Sequence, residues 1–269
     1  MEPKEAKETI EMNAMKETTA TKGTTEAKKD LPRISGTLRA KAIHMPEVIR
    51  RARGMVVLGR RIKSLIFSTD LAIIRNCDAD AVLAVYPFTP QQVISRAIID
   101  VSSIPVFVGV GGGTTKGVRS AIIAQDAEAQ GAFGVVVNAP MNNANIRLIH
   151  QIIDIPVIAT IVNEKEDIQA RLDAGVRILN VSAGPATADV VNEIRKKWPD
   201  VPIIATGGRT EKNIEDTILA GANSISYTPP STGEIFTGMM ASYRAQKEND
   251  PFEEEERRLS TLEELMKIL

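Results

Sequence analysis

Two glycines and an arginine, Gly207-Gly208-Arg209, stand where a buried-strand pattern passes into a helix pattern. Glycine lets backbone N–H groups approach a ligand closely, and the N-terminus of a helix attracts negative charge, so this turn is suited to a phosphate or another anion. Thr206 ends the preceding strand and Tyr227 ends the next one, so we expect both to face the same ligand. The alternative is a tight turn whose arginine is solvated or paired with a carboxylate.

A second glycine-rich run, residues 109–116, reads GVGGGTTK. Gly112 and Gly113 could present backbone N–H groups to another anionic part of a ligand, beside Lys116. The GxxxxGK[ST] spacing of a nucleotide-binding P-loop is absent from this run. A flexible loop without a ligand is the alternative interpretation.

Few side chains at the predicted strand ends could move a proton. Asp70, Glu164 and Tyr86 are the candidates for general acid–base catalysis, although Asp70 and Glu164 each precede a helix pattern and could instead cap that helix. Asn180 and Ser182 share parity along one strand, so both can point inward, as can Asn138 on another strand. Buried polar groups need partners, so these three either bond to one another and to neighbouring loops or orient a ligand carbonyl.

The segments that carry these residues alternate between strand and helix patterns. Eight short Val/Ile-rich runs are each followed by a helix pattern, which predicts a parallel sheet buried on both faces. The fold class we predict is α/β, a parallel (β/α)8 TIM barrel, in preference to an open doubly wound sheet. The predicted strands are residues 64–68, 81–86, 105–110, 134–138, 156–162, 177–182, 202–206 and 224–227.

Three regions follow from this pattern: a disordered arm over residues 1–33, a barrel over 34–250 and a C-terminal amphipathic helix over 251–269. The last of these could dock on the barrel or contact a partner. Basic residues crowd positions 50–63, which we interpret as a solvated helix face and a turn. Thr89 and Pro90 are placed as the N-cap and first residue of a helix.

Bulk composition limits the function classes. The chain has 269 residues, 43% hydrophobic and 25% charged, and a net charge of −1, which favours neither nucleic acid nor an anionic membrane as a partner. Cys77 is the one cysteine and there are two histidines, so the sequence predicts neither a disulfide framework nor a metal site. We expect a cytoplasmic protein with no membrane span that binds a small anionic substrate. The sequence does not decide between a monomer and a homo-oligomer.

Residues 155–208 resemble the opening of 2-keto-3-deoxy-6-phosphogluconate aldolases, with the sequence IPVIATIVNEKEDIQARLDAGVRILNVSAGPATADVVNEIRKKWPDVPIIATGG. The resemblance implies a phosphate-binding barrel of the ribulose-phosphate-binding type. That family carries a glutamate in a strand of the form LEVT, where this chain has Asn180 in LNVS. Its Schiff-base lysine corresponds by barrel position to Ala84, so the amine nucleophile of that reaction is missing.

Residues 205–230 are also similar to the phosphate-binding end of flavin-mononucleotide barrels and of inosine-monophosphate dehydrogenase-like proteins. Those families add a catalytic cysteine or a basic residue near the flavin, whereas Cys77 lies on a helix pattern. Three hypotheses follow. The first is an enzyme, a lyase or isomerase, acting without a cofactor on a small phosphorylated or carboxylated metabolite. The second is an FMN-dependent oxidoreductase, and the third is a ligand-binding barrel without catalysis.

Overall fold

The computed structural model describes residues 34, 43–208, 210–248 and 266–267. By its internal contacts the chain divides into Met1–Ala40 and Lys41–Leu269, and every strand and helix named below lies in the second unit. The predicted disordered arm lies outside the described residues. So does most of the predicted C-terminal helix, of which Met266 and Lys267 are described and helical.

A closed barrel of eight parallel strands forms the centre of the fold, as the sequence predicts. A two-stranded antiparallel hairpin, β1 (Met55–Val57) and β2 (Arg60–Ile62), precedes it. The barrel strands are β3 (Ser64–Phe67), β4 (Ala81–Ala84), β5 (Val106–Gly111), β6 (Gly134–Val137), β7 (Val157–Ile161), β8 (Val176–Val181), β9 (Ile203–Thr206) and β10 (Ser224–Tyr227). Each strand pairs with the next along the chain, and β10 closes the barrel against β3 through the register Ser226↔Leu65.

One helix follows each barrel strand. They are α1 (Leu71–Arg75), α2 (Gln92–Val101), α3 (Val118–Ala129), α4 (Asn143–Ile152), α5 (Ile168–Asp173), α6 (Thr187–Lys197), α7 (Glu211–Leu219) and α8 (Thr232–Glu248). Side-chain oxygens of Asp70, Asn142, Asp167 and Thr210 accept backbone N–H groups at the starts of α1, α4, α5 and α7. These caps satisfy donors that a helix cannot satisfy itself, so they explain where the chain turns from loop to helix.

Two apolar layers hold the barrel together. One lies between the strands and the helices, and the other fills the barrel interior, where side chains from seven strands, two of them from β4, meet the hairpin. The strands show no polar alternation because both faces are buried, as in Val135, Val136 and Val137 of β6. The interior layer consists of Met55, Val57, Ile62, Leu65, Ala81, Leu83, Phe107, Val136, Ile158, Ile178 and Ile204.

The β1–β2 hairpin lies where the basic residues at positions 50–63 were interpreted as a solvated helix face and a turn. Positions 50–63 are not a solvated helix face: a short 3-10 helix, Glu47–Arg51, is followed by β1 and β2. The reason is the alternation of buried Met55 and Val57 with exposed Val56, a strand period that covers the N-terminal end of the barrel. The arginines of this region lie on the outward side of the same elements.

The start of α2 also differs from the prediction. The helix begins at Gln92, and Gln91 occupies the N-cap position without a side-chain cap hydrogen bond. Thr89 and Pro90 belong instead to a loop folded back on the barrel, because the backbone N–H of Gln91 donates to the Tyr86 hydroxyl at 2.8 Å. This loop forms one wall of a cavity described below. None of the helices that the structure describes combines the length and apolar character needed to cross a bilayer.

Candidate active site

A cavity of about 200 Å³ opens at the C-terminal mouth of the barrel. We call it the inner cavity. Most of its wall residues lie two positions further along their strands than the residues of the apolar interior layer. Residues two apart point to the same face of a strand, so these side chains also point towards the barrel axis. In barrels of this kind, catalytic groups come from this end. The lining residues are Phe67, Leu83, Val85, Asn138, Thr160, Asn180, Ser182, Thr206, Ser226 and Thr228.

Asn180 is a buried polar residue of the inner cavity. It is 7% exposed, and its Nδ2 donates to Thr160 Oγ1 at 3.3 Å, across the β7–β8 register in which the two residues are partners. Its Oδ1 is buried and has no hydrogen-bond partner among the described residues. If the amide is turned over, the orphan becomes the NH2 group instead, so one end of this side chain is unsatisfied in either orientation.

A second cavity, of about 260 Å³, adjoins the first, and Val85 and Asn138 line both. We call it the outer cavity. One wall is the loop between β4 and α2, and the other is the glycine-rich loop between β5 and α3. Its remaining lining residues are Tyr86, Pro87, Phe88, Thr89, Pro90, Gly109, Gly111, Gly113, Thr114 and Thr115.

The glycine-rich loop is held in a fixed curve. Gly112 donates its backbone N–H to the Thr115 carbonyl at 3.1 Å, and the Ser120 hydroxyl donates to the same carbonyl at 3.1 Å. Gly112 has a φ of 128°, and a Cβ added there would lie 2.6 Å from the Asn138 backbone nitrogen. Only glycine allows this close approach of the loop to Asn138. Gly112 therefore shapes the cavity wall, whereas Gly113 lines the outer cavity itself.

A buried ion pair supports the loop after β6. Arg171 and Glu166 meet at 3.1 Å, with side chains 12% and 14% exposed, and Arg171 also donates to the carbonyls of Ala139 and Met141. The guanidinium thereby ties α5 to the residues that directly follow Asn138. This fixes the backbone on which Asn138 stands between the two cavities.

Asp70 caps a helix. Its Oδ1 accepts the backbone N–H groups of Ala72 and Ile73, at 2.8 and 3.2 Å, and the Thr232 hydroxyl donates to its Oδ2. The Thr232 hydrogen bond holds the pKa of this carboxyl below its ordinary value, and the two N–H groups lower it further against the opposing effect of burial. Asp70 is therefore ionised and engaged on both oxygens at neutral pH, and it does not line either cavity.

Glu164 is exposed on the loop after β7 and is absent from the lining of both cavities. On the same loop the Asn163 side chain accepts the backbone N–H of Lys165, as in an Asx turn. The structure thus brings Asn138, Asn180, Ser182 and Thr206 together in the inner cavity and leaves the two predicted acid–base carboxylates outside it.

The glycine pair after β9 has a packing role. A Cβ on Gly207 would meet Ile225 and Ile214 side-chain atoms at 2.7 and 2.8 Å, and its N–H donates to the Ser226 carbonyl at 3.3 Å. Gly208 has a φ of 75°, a conformation that glycine favours. Arg209 lies outside the described residues. Tyr227 packs against the apolar layer between strands and helices, so it faces away from the inner cavity, which its neighbour Ser226 lines.

Carboxylates occupy the start of α8, next to the glycine pair. Glu234 Oε2 accepts both the backbone N–H and the hydroxyl of Ser231 at 2.7 Å, and Glu234 in turn donates its N–H to Ser231 Oγ at 3.2 Å. This reciprocal arrangement is a capping box. With Asp70 bound to Thr232 as well, the hydroxyl groups of Ser231 and Thr232 both donate to carboxylates.

Sequence reasoning did not single out Ser226, although its position two residues after buried Ser224 gives it the inward parity of β10. Cys77 is buried behind α1, and its Sγ lies 3.3 Å from the Ile74 carbonyl, away from both cavities. Among the described residues no group of three or more His, Cys, Asp or Glu is arranged to hold a metal ion.

No protein-family model matches the chain, and no curated protein matches it. The fold is similar to several solved structures. A 2,3-dimethylmalate lyase, a member of the PEP mutase/isocitrate lyase superfamily, is 13% identical with a TM-score of 0.55, over 75% of this chain and 86% of that one. A phosphonopyruvate hydrolase in complex with oxalate and Mg++ is 16% identical with a TM-score of 0.51, over 70% and 94%. A mandelate oxidase mutant carrying a monooxide FMN adduct is 15% identical with a TM-score of 0.53, over 74% and 72%.

These similarities establish the barrel fold, and they do not extend to the aldolase that the sequence resembles. The phosphonopyruvate hydrolase structure contains Mg++, so we asked whether the same ion fits this mouth. Protein sites for Mg²⁺ usually supply one or two carboxylates. Among the described residues the inner cavity is lined by hydroxyl and amide oxygens and by no carboxylate, so these residues do not fit that ion.

Proposed function

We propose that the chain is a lyase or isomerase that binds a small carboxylated or phosphorylated metabolite at the C-terminal mouth of its barrel. The observation that carries this proposal is the unsatisfied amide of Asn180, 7% exposed in the inner cavity. Leaving a buried polar group without a partner costs about 1–3 kcal/mol. A ligand carbonyl or hydroxyl that bonds to this amide would recover that free energy.

The polar ring around Asn180 is suited to a carbonyl compound. Asn138, Thr160 and Ser182 offer neutral donors and acceptors, while Phe67 and Val85 supply an apolar wall. Proton transfer next to a carbonyl, or cleavage of the bond beside it, develops negative charge on the carbonyl oxygen. Fixed amide and hydroxyl donors stabilise such an oxyanion without the reorganisation that water would need.

Tyr86 is the ionisable side chain among the described residues that line the two cavities. Its oxygen accepts the Gln91 N–H, which leaves the phenolic proton available to donate. In the proposed reaction Tyr86 gives a proton to the carbon or oxygen on which charge develops. The predicted roles of Asp70 and Glu164 would have to be exerted from outside the cavities, so Tyr86 is the better candidate.

The test is a turnover screen of small 2-oxo acids and sugar phosphates by proton NMR, with Asn180→Ala and Tyr86→Phe beside the unsubstituted protein. Asn192→Ala is the matched control, because Asn192 is exposed on α6. We expect Asn180→Ala to weaken substrate binding about tenfold and Tyr86→Phe to lower kcat about a hundredfold with little change in KM. Turnover that both variants retain at the control's level would refute the assignment.

A ligand-binding barrel without catalysis is the second candidate, because every side chain lining the inner cavity is neutral. Saturable binding that depends on Asn180, with no turnover of any compound in the screen, would favour it.

The FMN alternative has its own measurement. We expect the purified protein to retain no flavin absorbance after incubation with FMN and desalting. Stoichiometric retention of FMN would replace the proposal with an oxidoreductase.

A further inference from the structure

We propose that the loop 111–117, between β5 and α3, is the anion subsite of this protein and holds a phosphate or carboxylate in the outer cavity. The inference deepens the proposed function, because it names the part of the mouth that would bind the charged end of the substrate. It moves that subsite away from the Gly207–Gly208 turn, where the sequence predicts it, to a loop on another side of the barrel.

The first support is the set of backbone donors in the loop. Residues 113–117 carry five consecutive N–H groups, and none of them donates to another described residue. The loop is nevertheless held in one shape by the bonds that converge on the Thr115 carbonyl, from Gly112 and Ser120. Donors that are fixed before the ligand arrives bind an anion at a lower entropic cost than donors on a mobile loop.

The second support is Thr115 itself. This residue is 4% exposed, it lines the outer cavity, and its hydroxyl has no hydrogen-bond partner among the described residues. The loop is therefore more than a helix N-terminus: it places a polar side chain that is 4% exposed in the lining of the outer cavity. A hydroxyl and neighbouring N–H groups that face one cavity can bind one oxyanion together.

The third support is charge. Lys116 lies in the loop and Arg119 lies in the first turn of α3, while no carboxylate lines the outer cavity. On the rival side, the Gly207 N–H is already bonded within the barrel and the Thr210 hydroxyl accepts the Asn213 N–H. On the loop after β10 the hydroxyl groups of Ser231 and Thr232 already donate to the carboxylates of Glu234 and Asp70, so neither hydroxyl is available to donate to an anion.

The experiment uses the full-length protein and two probes, inorganic phosphate and malonate, each titrated while backbone amide shifts are followed by NMR. We expect saturable shifts at residues 113–117 with at least one probe. Thr115→Val should weaken that binding about tenfold, because it removes the hydroxyl and keeps the side-chain volume. Lys116→Ala should weaken it severalfold at low salt, whereas Lys212→Ala, the equivalent change beside the glycine pair, should leave it unchanged.

Shifts centred on residues 207–212, with sensitivity to Lys212→Ala and not to Lys116→Ala, would overturn the proposal and restore the glycine pair as the subsite. An absence of saturable shifts at the loop with both probes would also overturn it. The phosphate and malonate titrations separately identify which oxyanion is preferred. Because neither titration requires turnover, the loop can bind an anion even if the proposed reaction fails, and the two inferences are refuted by different results.

Discussion

Replacing Asn180 and Thr160 together by apolar residues of comparable shape should stabilise the ligand-free barrel. In the double variant Asn180→Leu/Thr160→Val, the lost interaction is one side-chain hydrogen bond of 3.3 Å, with a net value of about 0.5–1 kcal/mol. The penalty that disappears is the desolvation of one unsatisfied amide end, about 1–3 kcal/mol. The additional apolar area of leucine contributes in the same direction, since the inner cavity has room for it.

The expected net change is a gain of about 1–2 kcal/mol in the free energy of unfolding. For a chain of this size that corresponds to a rise in Tm of about 2–6 °C. Urea unfolding followed by circular dichroism measures the first quantity and calorimetry the second. The same variant should lose saturable binding of any ligand that depends on Asn180. The proposed binding requires the Asn180 amide, whereas the stability of the ligand-free barrel does not.

The single variant Asn180→Leu separates the parts of this prediction, since it leaves the Thr160 hydroxyl without its donor and should gain less than the double variant. Asn192→Leu, on the exposed surface of α6, controls for the general effect of the substitution. If the double variant lost more than about 1 kcal/mol with an unchanged urea m-value, Asn180 would have to be satisfied in solution. The argument for a ligand at that position would then fail.

Three further predictions concern elements outside the inner cavity. Thr232→Val should raise the pKa of Asp70 and lower the free energy of unfolding by about 0.5 kcal/mol, a small loss because water screens a partly exposed carboxylate. Since the folded-state pKa of Asp70 is depressed, the loss should be full above about pH 4 and should vanish as the pH falls through that pKa. Urea unfolding at pH 7 and at pH 2.5 would measure it. Arg171→Met should cost about 3 kcal/mol, because it leaves Glu166 buried without its partner, as denaturant unfolding would show. Leu58→Asn should raise the Tm, with a gain of about 1 kcal/mol, because Leu58 has a φ of 44° in a two-residue hairpin turn.

The Arg171 prediction has a matched control in the chain, and the other two have outcomes that would contradict them. Arg147→Met, on the exposed face of α4, should change stability by less than about 0.5 kcal/mol, so an equal loss at both arginines would contradict the argument from burial. An effect of Thr232→Val that persisted unchanged at pH 2.5 would show that packing, not the Asp70 charge, is responsible. A destabilised Leu58→Asn protein would mean that the exposed leucine side chain makes a contact worth more than the backbone strain.

The barrel could be predicted from the sequence because its signal is local and repeated. Val/Ile-rich runs such as Val135–Val137 specify strands buried on both faces, and the glycines after α3, α5 and α7 specify where the chain turns. The inward direction of Asn180 and Ser182 also follows from strand parity alone. Strand parity does not determine the register between neighbouring strands. Asn180 faces Thr160, twenty residues earlier in the chain, because β7 and β8 pair in one particular alignment.

The surroundings of the two acid–base candidates Asp70 and Glu164 could not be predicted for a similar reason. Asp70 precedes a helix, so its capping role was one of the two sequence interpretations, but its bond to Thr232 joins residues 162 positions apart. The capping box of Ser231 and Glu234 was readable in the sequence STGE, and it marks Thr232 as the first residue of α8. The exposed position of Glu164 depends on how the loop after β7 folds, which the chain's local pattern does not determine.

The described side chains that line the inner cavity are neutral, and the carboxylates of Asp70 and Glu164 lie outside it. This arrangement limits the class of reaction that the barrel mouth can catalyse. A carboxylate on the axis would have to be desolvated in the ligand-free protein, whereas Asn and Thr side chains can partly satisfy one another there, as Asn180 and Thr160 do. Such a ring can stabilise charge that develops on a ligand oxygen, but it cannot accept a proton at neutral pH. A reaction at this mouth therefore needs its proton acceptor from the ligand, with the phenol of Tyr86 on the neighbouring wall as the proton donor, which favours proton transfer within a substrate over hydrolysis by an activated water.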